Sequence, residues 1–472
     1  MAENPASIPT AFTGAEEVFA FFQEFTNFEQ KQKQTIREYR LDRMRHILSI
    51  FGDPHLSIKV IHAAGSKGKG STSLYIAKAL EALGEKTGLY TSPHVTDYRE
   101  RITFAGTFVP DTLIVAGGNR ILGNMELLRG FGMDGSDDPT TFELLTLLAF
   151  LVFEEGGCTY GVIETGIGGR LDATNVVEPE AAVITPIELE HTDILGSTLR
   201  EIAGEKAGII KAGVPLFVSP QHEEPMQVLL RKAKEKKSPL YRYSDRVLSA
   251  SFSLTTEGTV VAANLKNPGA HGENLLVDFT LPMLGKHQGE NALLALSLVT
   301  VLFRPDKESL GNITEALEQA RLPGRLELID GNPPVLLDGA HTPNSVGLVL
   351  DAYREVFALP PICIFGSVYG KNAEGMASIL SPHCAEIIIS RPGSFKPSEP
   401  EEILRIFSKY SSRVELLSDP RKAFEKAIAL SEGSRPILVT GSFYMVAEVR
   451  PFCSAGAALL HKNTELPKKE LP

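Results

Sequence analysis

The sequence predicts an α/β protein: a P-loop-type domain on a mostly parallel sheet, interrupted by a β-rich insert, then a smaller Rossmann-like α/β domain. Three observations predict it. Short apolar, β-branched runs alternate with helical stretches of ~10–15 residues, the pattern of parallel sheets with crossover helices. The stretch GSKGKGS lies between one such run and a helix. Between 239 and 282 the chain turns β-rich and polar, with turn signals at Glu257-Gly258 and Asn267-Pro268-Gly269.

Taken in order, residues 15–50 read as two amphipathic helices, and 28–46 carries six Lys/Arg against three acids, a solvated helix face. Residues 58–64 form the first buried strand, followed by the glycine-rich turn, a helix through Leu83, and a strand at 86–90. A strongly apolar helix at 141–155 precedes buried strands at 160–164 and 181–185. After the insert come helices at 287–303 and 308–320, then RLPGR as a joint. Alternation resumes with strands at 335–338, 362–366, 386–390 and 436–440, separated by helices at 344–357, 373–380 and 419–431 and closed by a last helix. The expected domains are 1–321 and 322–455, with a Lys/Glu/Pro-rich tail at 456–472 expected to be disordered.

Composition removes whole classes. The 472 residues are 43% hydrophobic and 22% charged, which excludes a disordered or fibrous chain. The formal charge of −11 argues against a protein that coats nucleic acid or an anionic membrane. The N-terminus has no basic segment ahead of an apolar run. The longest apolar stretch, 142–153, contains Glu143 and is too short for a span of ~20 residues. Cys158, Cys363, Cys384 and Cys453 lie far apart without a CxxC pair, so reduced thiols and a cytoplasmic location are expected.

The glycine turn carries the first chemistry. At a helix N-terminus its backbone N–H groups converge where the helix dipole favours an anion. Gly65, Gly68 and Gly70 allow close approach to phosphate, Lys69 supplies a point charge, and Ser71 or Thr72 reaches a magnesium ion. The strict pattern G-x-x-x-x-G-K-[ST] fails at both ends, with Ala63 at its first glycine and Gly70 after the lysine. This argues against an ordinary kinase or GTPase while keeping a nucleoside triphosphate. Magnesium then needs donors at neighbouring strand ends. Glu164 ends GVIE, Ser92 follows GLY, and His191 lies in ELEHTDILG after another strand. Lys206, in REIAGEKAGIIK, reads by spacing as a surface helix lysine paired to Glu201 or Glu205.

The ordered set RMRHILSIFGDPH, VIHAAGSKGKGST, TSPHVTDYRERI, TTFELLTLLAF, ETGIGGRLDATNVV, EHTDILGSTLREIAGEKAGIIK, HQGENALLA, LPGRLE, LLDGAHTPNS and VTGSFYMVAEVR resembles the folylpolyglutamate synthase/dihydrofolate synthase branch of the Mur ligase family. The resemblance implies an ATP-dependent ligase that joins L-glutamate to a folate or to dihydropteroate, acting as a monomer with Mg²⁺. It implies that Gly65, Ser66, Lys67, Gly68, Lys69, Gly70 and Ser71 hold the triphosphate and that Ser92, Glu164 and His191 surround the metal. Lys206 matches the lysine the family carbamylates; Arg325, Asp338 and Asn291 match nucleotide-contacting positions for phosphate, ribose and base; His341 lies near the reacting groups or glutamate. Nucleotide contacts from both domains imply a closure that excludes water from an acyl phosphate. Departures are Ser66-Lys67 in the loop, Glu190 where an aspartate is usual, and Thr342 within His341-Thr342-Pro343. The segment 140–143 and the N-terminal helix correspond to the pterin site. Two other readings compete: a cell-wall Mur ligase on a UDP-sugar peptide, disfavoured by GKGS, and a nucleotide-binding switch, disfavoured by PGR and LLDGAH.

Overall fold

The computed structural model describes residues 9–27, 41–129, 138–268 and 273–459. Much of the basic segment 28–46 and the tail beyond 459 therefore lie outside the described residues. The chain forms two compact units. The first runs to Phe252 and includes Val261–Leu281 and His287–Ala320; the second comprises Ser253–Val260, Pro282–Lys286 and the residues from Arg321 on.

The first unit is built on the strands β1 (Lys59–Ala64), β2 (Thr87–Tyr90), β3 (Ile102–Phe104), β4 (Thr107–Phe108), β5 (Tyr160–Glu164), β6 (Ala181–Ile184), β7 (Leu216–Val218) and β8 (Leu240–Arg242). They form one sheet in the order β4-β3-β2-β5-β1-β6-β7-β8, parallel from β2 to β8. The antiparallel edge, β3 and β4, was not legible as strands. It is short, and its turn rests on Ala105 and Gly106 at φ 42° and 88°, the two positive values a tight hairpin turn needs.

The central strands are apolar throughout because both sheet faces are covered. On one face Val60, Tyr90 and Ile163 join the helix Thr141–Glu155, the N-terminal helix Ala15–Gln23 and the helix Leu41–Ile50 in a single core. Ala64, Ala182, Ile184, Leu216 and Val218 pack instead with Ile202, Ala203, Ile209 and Leu229. Three further strands, β9 (Val247–Thr255), β10 (Gly258–Leu265) and β11 (Leu275–Leu281), form a separate sheet in the order β11-β10-β9, where the β-rich insert was expected.

The second unit carries β12 (Glu327–Ile329), β13 (Val335–Leu337), β14 (Ile362–Phe365), β15 (Glu386–Ile389), β16 (Val414–Leu416) and β17 (Ile437–Thr440). Their order is β12-β13-β17-β14-β15-β16, parallel except for β12. The last helix, Phe443–Leu459, continues past residue 455. All four cysteines are free and buried, and among the described residues no helix is long and apolar enough to cross a membrane.

The expected solvated basic face needs correcting at Arg43. Its guanidinium is buried against Glu143, with Nε 3.0 Å from both carboxylate oxygens. This pair joins the helix Leu41–Ile50 to the capping box of Thr141–Glu155, where Glu143 also accepts from the N–H and hydroxyl of Thr140. Burial nonetheless raises the Glu143 carboxyl above its ordinary range, so the pair is tight but costly to desolvate. Arg43→Met is expected to lose ~3 kcal/mol in denaturant unfolding because it strands a buried carboxylate, and adding Glu143→Leu to recover most of that loss. A single-variant cost below ~1 kcal/mol would show that the pair is solvated.

Candidate functional site

Parallel register decides which residues meet at the carboxyl edge of the first sheet, where open α/β sheets take ligands. Tyr90 pairs with Ile163, Ala63 with Glu164, and Ala64 with Ile184. Ser92, Glu164, Gly65 and Thr185 therefore leave the sheet at neighbouring points. The Ser92 N–H donates to Glu164 Oε2 at 3.2 Å. Beyond Ser92, Glu100 gathers the N–H groups of Val95, Thr96 and Asp97 and fixes the next loop to the rim.

The loop after β1 is held on the exit from β6. Ser66 and Lys67 both donate their N–H to the Pro186 carbonyl, and the Ser66 hydroxyl donates to Glu188 O while accepting from Glu188 N. Gly65 is required here: its φ is +148°, and a Cβ would lie 1.8 Å from Thr185 Oγ1. Gly68, at φ 79°, starts the helix Lys69–Ala82. Asn291, buried in the helix Lys286–Phe303, rests its amide against Gly68, with the oxygen 2.7 Å from where a Cβ would stand. Asn291 thus belongs to the phosphate-loop wall. Gly70 and Ser71 are buried in the first helical turn.

Two lysines converge on one carbonyl. Lys69 Nζ donates to Gly65 O at 2.9 Å and lies 3.9 Å from Glu164 Oε1. Lys206 Nζ donates to the same oxygen at 2.8 Å and to Glu190 Oε1 at 2.8 Å. The surface pairing expected for Lys206 is wrong. Its side chain is 1% exposed, and both proposed partners are engaged elsewhere. Glu201 caps its own helix at Ser197 N and Thr198 N, and Glu205 pairs with Arg170 at 2.9 Å. Burial pulls the Lys206 amine down to about 8; Glu190 opposes that fall and the Lys69 charge adds to it. Burial works to raise the Glu190 carboxyl, but Lys206, Lys69 and His191 outweigh it and hold it at about 2.

The helix end carrying Lys206 is aimed by the glycine turn after β5. Arg170 N–H donates to Glu205 O at 2.8 Å, and Asn175 Nδ2 bridges the carbonyls of Arg170 and Gly208. A Cβ on Gly208 would lie 2.4 Å from the Arg170 Cα, so the two segments touch backbone to backbone.

His191 follows Glu190, is exposed, and adopts φ 46° at the start of Thr192–Leu195. Among the described residues no group of three or more His, Cys, Asp or Glu side chains is gathered for a metal. The carboxylate of Glu164, which accepts the Ser92 N–H, is a lone hard oxygen donor at this edge. That suits Mg²⁺, which keeps waters and takes substrate phosphate oxygens, better than a cation needing a protein cage.

In the second unit, Asp338 follows β13 and ties two motifs together. One oxygen accepts from Leu326 N and the other from Ala340 N, both at 2.8 Å. Leu326 sits at φ 46°, so this carboxylate holds a bent backbone directly after Arg325. The Arg325 guanidinium lies 3.8 Å from the Phe443 ring centroid, a cation–π contact that fixes its plane. His341 Nδ1 is 2.9 Å from Gly339 O, which assigns the proton to Nδ1. Thr342 caps the helix Pro343–Val356 and hydrogen-bonds Ser345, so this position serves the helix start.

Sequence reasoning missed Glu190 as the partner of Lys206 and Thr185 as the wall against Gly65. Glu190 had a signal in its place beside His191; Thr185 had none, since only strand register brings it there. The polar atoms of 140–143 are engaged internally: Thr140 and Glu143 in the cap, and the Thr141 hydroxyl on Phe22 O and Phe25 O.

Residues 63–299 match the Mur ligase middle domain and residues 324–443 the Mur ligase glutamate ligase domain. The chain is 33% identical over 418 residues to the dihydrofolate synthase/folylpolyglutamate synthase of Bacillus subtilis, covering 87% of this chain and 94% of that protein. The Mycobacterium tuberculosis folylpolyglutamate synthase, solved with ADP and AMPPCP, superposes with a TM-score of 0.82 at 27% identity over 93% of this chain and 98% of that one. A folylpolyglutamate synthase–AMPPCP–folate complex gives 0.76 at 26% identity over 93% and 99%.

Gly65→Ala is expected to weaken binding of a fluorescent ATP analogue at least ~100-fold, because the new methyl displaces Thr185 and the backbone resists its φ. Ser66→Ala, which loses only the stitch to Glu188, is expected to weaken it ~10-fold or less. Equal affinity of Gly65→Ala and the native chain would exclude this loop as the nucleotide site.

Proposed function

The chain belongs to the Mur ligase family, in its folylpolyglutamate synthase/dihydrofolate synthase branch, and from that premise we propose how its own residues carry the reaction. It is an ATP-dependent ligase that adds L-glutamate to the γ-carboxylate of a folate, and we extend the acceptors to dihydropteroate. Residues 1–321 supply the phosphate loop and folate side, and 322–455 supply the remaining nucleotide and glutamate contacts. The observation that carries the assignment of residues is the convergence of Lys69 and Lys206 on Gly65 O.

A carboxylate and an ammonium form a salt unless the carboxylate is first activated. Attack of the folate γ-carboxylate on the ATP γ-phosphorus gives an acyl phosphate and ADP, and the neutral glutamate amine then displaces phosphate from the acyl carbon. Negative charge concentrates on the transferred phosphoryl oxygens. At the start of the helix Lys69–Ala82, Gly68, Lys69, Gly70 and Ser71 would offer N–H groups to those oxygens and Lys67 and Lys69 their ammonium charge, while Gly65 and Ser66 hold the loop against the exit from β6. Ser92, Glu164 and His191 would hold Mg²⁺, which when bound supplies Lewis-acid neutralisation of the phosphates. Glu164 also keeps Lys69 oriented from 3.9 Å.

Lys206 is the proposed site of carbamylation. Addition of CO₂ forms an N–C bond and releases a proton, so it needs the neutral amine; burial makes that form accessible by bringing the amine to about 8. The product replaces a cation with an anionic oxygen donor beside the loop. In the second unit Arg325, its plane set by Phe443, is assigned to phosphate. Asp338 is assigned to ribose through lone pairs beyond those its two backbone bonds use, and His341 to the incoming glutamate. Asn291 completes the nucleotide contacts from the wall of the phosphate loop. The free buried thiols suit a reducing compartment such as the cytoplasm.

ADP release should require ATP, glutamate and a folate or pteroate together. Separate assays with dihydropteroate and tetrahydrofolate are expected to give one amide product per ADP. ATP hydrolysis without either acceptor, and without amide, would favour a nucleotide switch instead. Lys206→Ala is expected to lower kcat at least ~100-fold, since the site then lacks the amine that meets Gly65 O and carries the proposed carbamate.

A further inference from the structure

His62 lies within β1, three positions before Gly65, and is fully buried. Its Nε2 is 2.9 Å from Thr174 Oγ1. The Thr174 hydroxyl donates its single proton to Asp172 Oδ1 at 2.6 Å, and the Thr174 N–H donates to the same oxygen at 3.0 Å. The other Asp172 oxygen accepts the Ile167 N–H at 2.9 Å. With its proton committed to Asp172, the Thr174 oxygen can only accept from His62. This assigns the imidazole as the Nε2–H tautomer. Its Nδ1 is a buried acceptor without a partner, so the ring is held by one directional bond and by packing. Burial pushes the His62 imidazole down to about 3, which keeps it neutral and the tautomer fixed throughout any assay range.

The relay continues to the active edge. Asp172 pins Ile167, and the same glycine turn delivers Arg170 N–H to Glu205 O, one residue before Lys206. Asn175, the residue after Thr174, bridges Arg170 and Gly208 on the far side of Lys206. Lys206 then returns to Gly65 O, directly after the starting strand. The contacts form a closed circuit from position 62 of β1, through Thr174, Asp172, the glycine turn and the end of the Leu199–Lys206 helix, back to Gly65, the residue that follows β1.

We propose that His62 is a positioning residue for Lys206, fixing through Thr174 and Asp172 the glycine turn that sets where the Lys206 amine meets the phosphate loop. The inference rests on the proposed role of Lys206. His62 lies in the strand and Gly65 opens the loop directly after it, so a change at His62 moves Lys206 relative to Gly65 without altering any residue of that loop.

The test compares His62→Leu, which fills the volume without a donor, with His62→Gln, whose Nε2 amide can donate to Thr174. His62→Leu is expected to lower kcat about tenfold or more, as small misplacements of a catalytic group do, with the KM for ATP changed less than about threefold. His62→Gln should restore kcat to within about threefold of the native value. Thr174→Val should reproduce the leucine effect, and the double variant His62→Leu/Thr174→Val should be no worse than the poorer single one. Binding stoichiometry of a fluorescent ATP analogue corrects each rate for folded protein. The proposal fails if the corrected kcat of His62→Leu is native, if kcat and KM shift together, if glutamine rescues no better than leucine, or if the two losses multiply. Lys206→Ala is assayed in parallel: full activity there overturns the role of Lys206 itself, whatever the His62 variants do.

Discussion

Two ammonium groups hydrogen-bonded to one carbonyl oxygen repel each other, and the first unit is arranged to hold them there. Gly65 O takes both Lys69 and Lys206, and each lysine has a carboxylate on its outer side, Glu164 for one and Glu190 for the other. Burial sharpens the arrangement, since charges exchange little of their interaction with solvent in a dry site. The Glu190 carboxyl is held low by the cations that face it, and the Lys206 amine is lowered first by burial, with the Lys69 charge adding to it. In the proposed reaction, a chain with a net charge of −11 takes ATP, folate and glutamate, all anions, through local concentration of charge rather than overall sign.

Both units solve the placement problem by the same means: a parallel sheet whose carboxyl edge presents backbone turns, and a carboxylate that organises main chain before it does anything else. Asp172 gathers Ile167 and Thr174 N–H groups in the first unit, and Asp338 gathers those of Leu326 and Ala340 in the second. Each sits beside the residues assigned to substrate: the glycine turn behind Lys206 in one case, Arg325 and His341 in the other. Rigidity at these turns follows from buried charge-assisted hydrogen bonds, which are stronger than neutral ones and leave fewer alternatives.

Much of this was legible in the residues. Period and apolar runs marked β1, β5, β6, β13, β14, β15 and β17, because strands buried on both faces must be apolar throughout. The short edge strands β3, β4, β8 and β16 were not, since two or three residues carry no period. The glycine loop announced itself through spacing, and Glu164 and Ser92 through their places at strand ends. Spacing alone puts Lys206 at the surface, because it sees Glu201 and Glu205 but not the cap and the arginine that already engage them; only the resemblance marked it as a site residue. His62 and Thr185 gave no signal: one reads as a stray polar residue in an apolar strand, the other as the end of one. Their contacts arise from register and crossover, which a linear pattern does not encode.

In the proposed mechanism, the phosphoryl group served by the charge at Gly65 passes to a carboxylate oxygen, which then leaves with the phosphate. Folate labelled with ¹⁸O in its γ-carboxylate, turned over with ATP and glutamate, tests this in one measurement. The account predicts inorganic phosphate carrying one ¹⁸O for each amide bond formed. Amide formation with unlabelled phosphate would contradict it, because the carboxylate would then never have bonded to phosphorus.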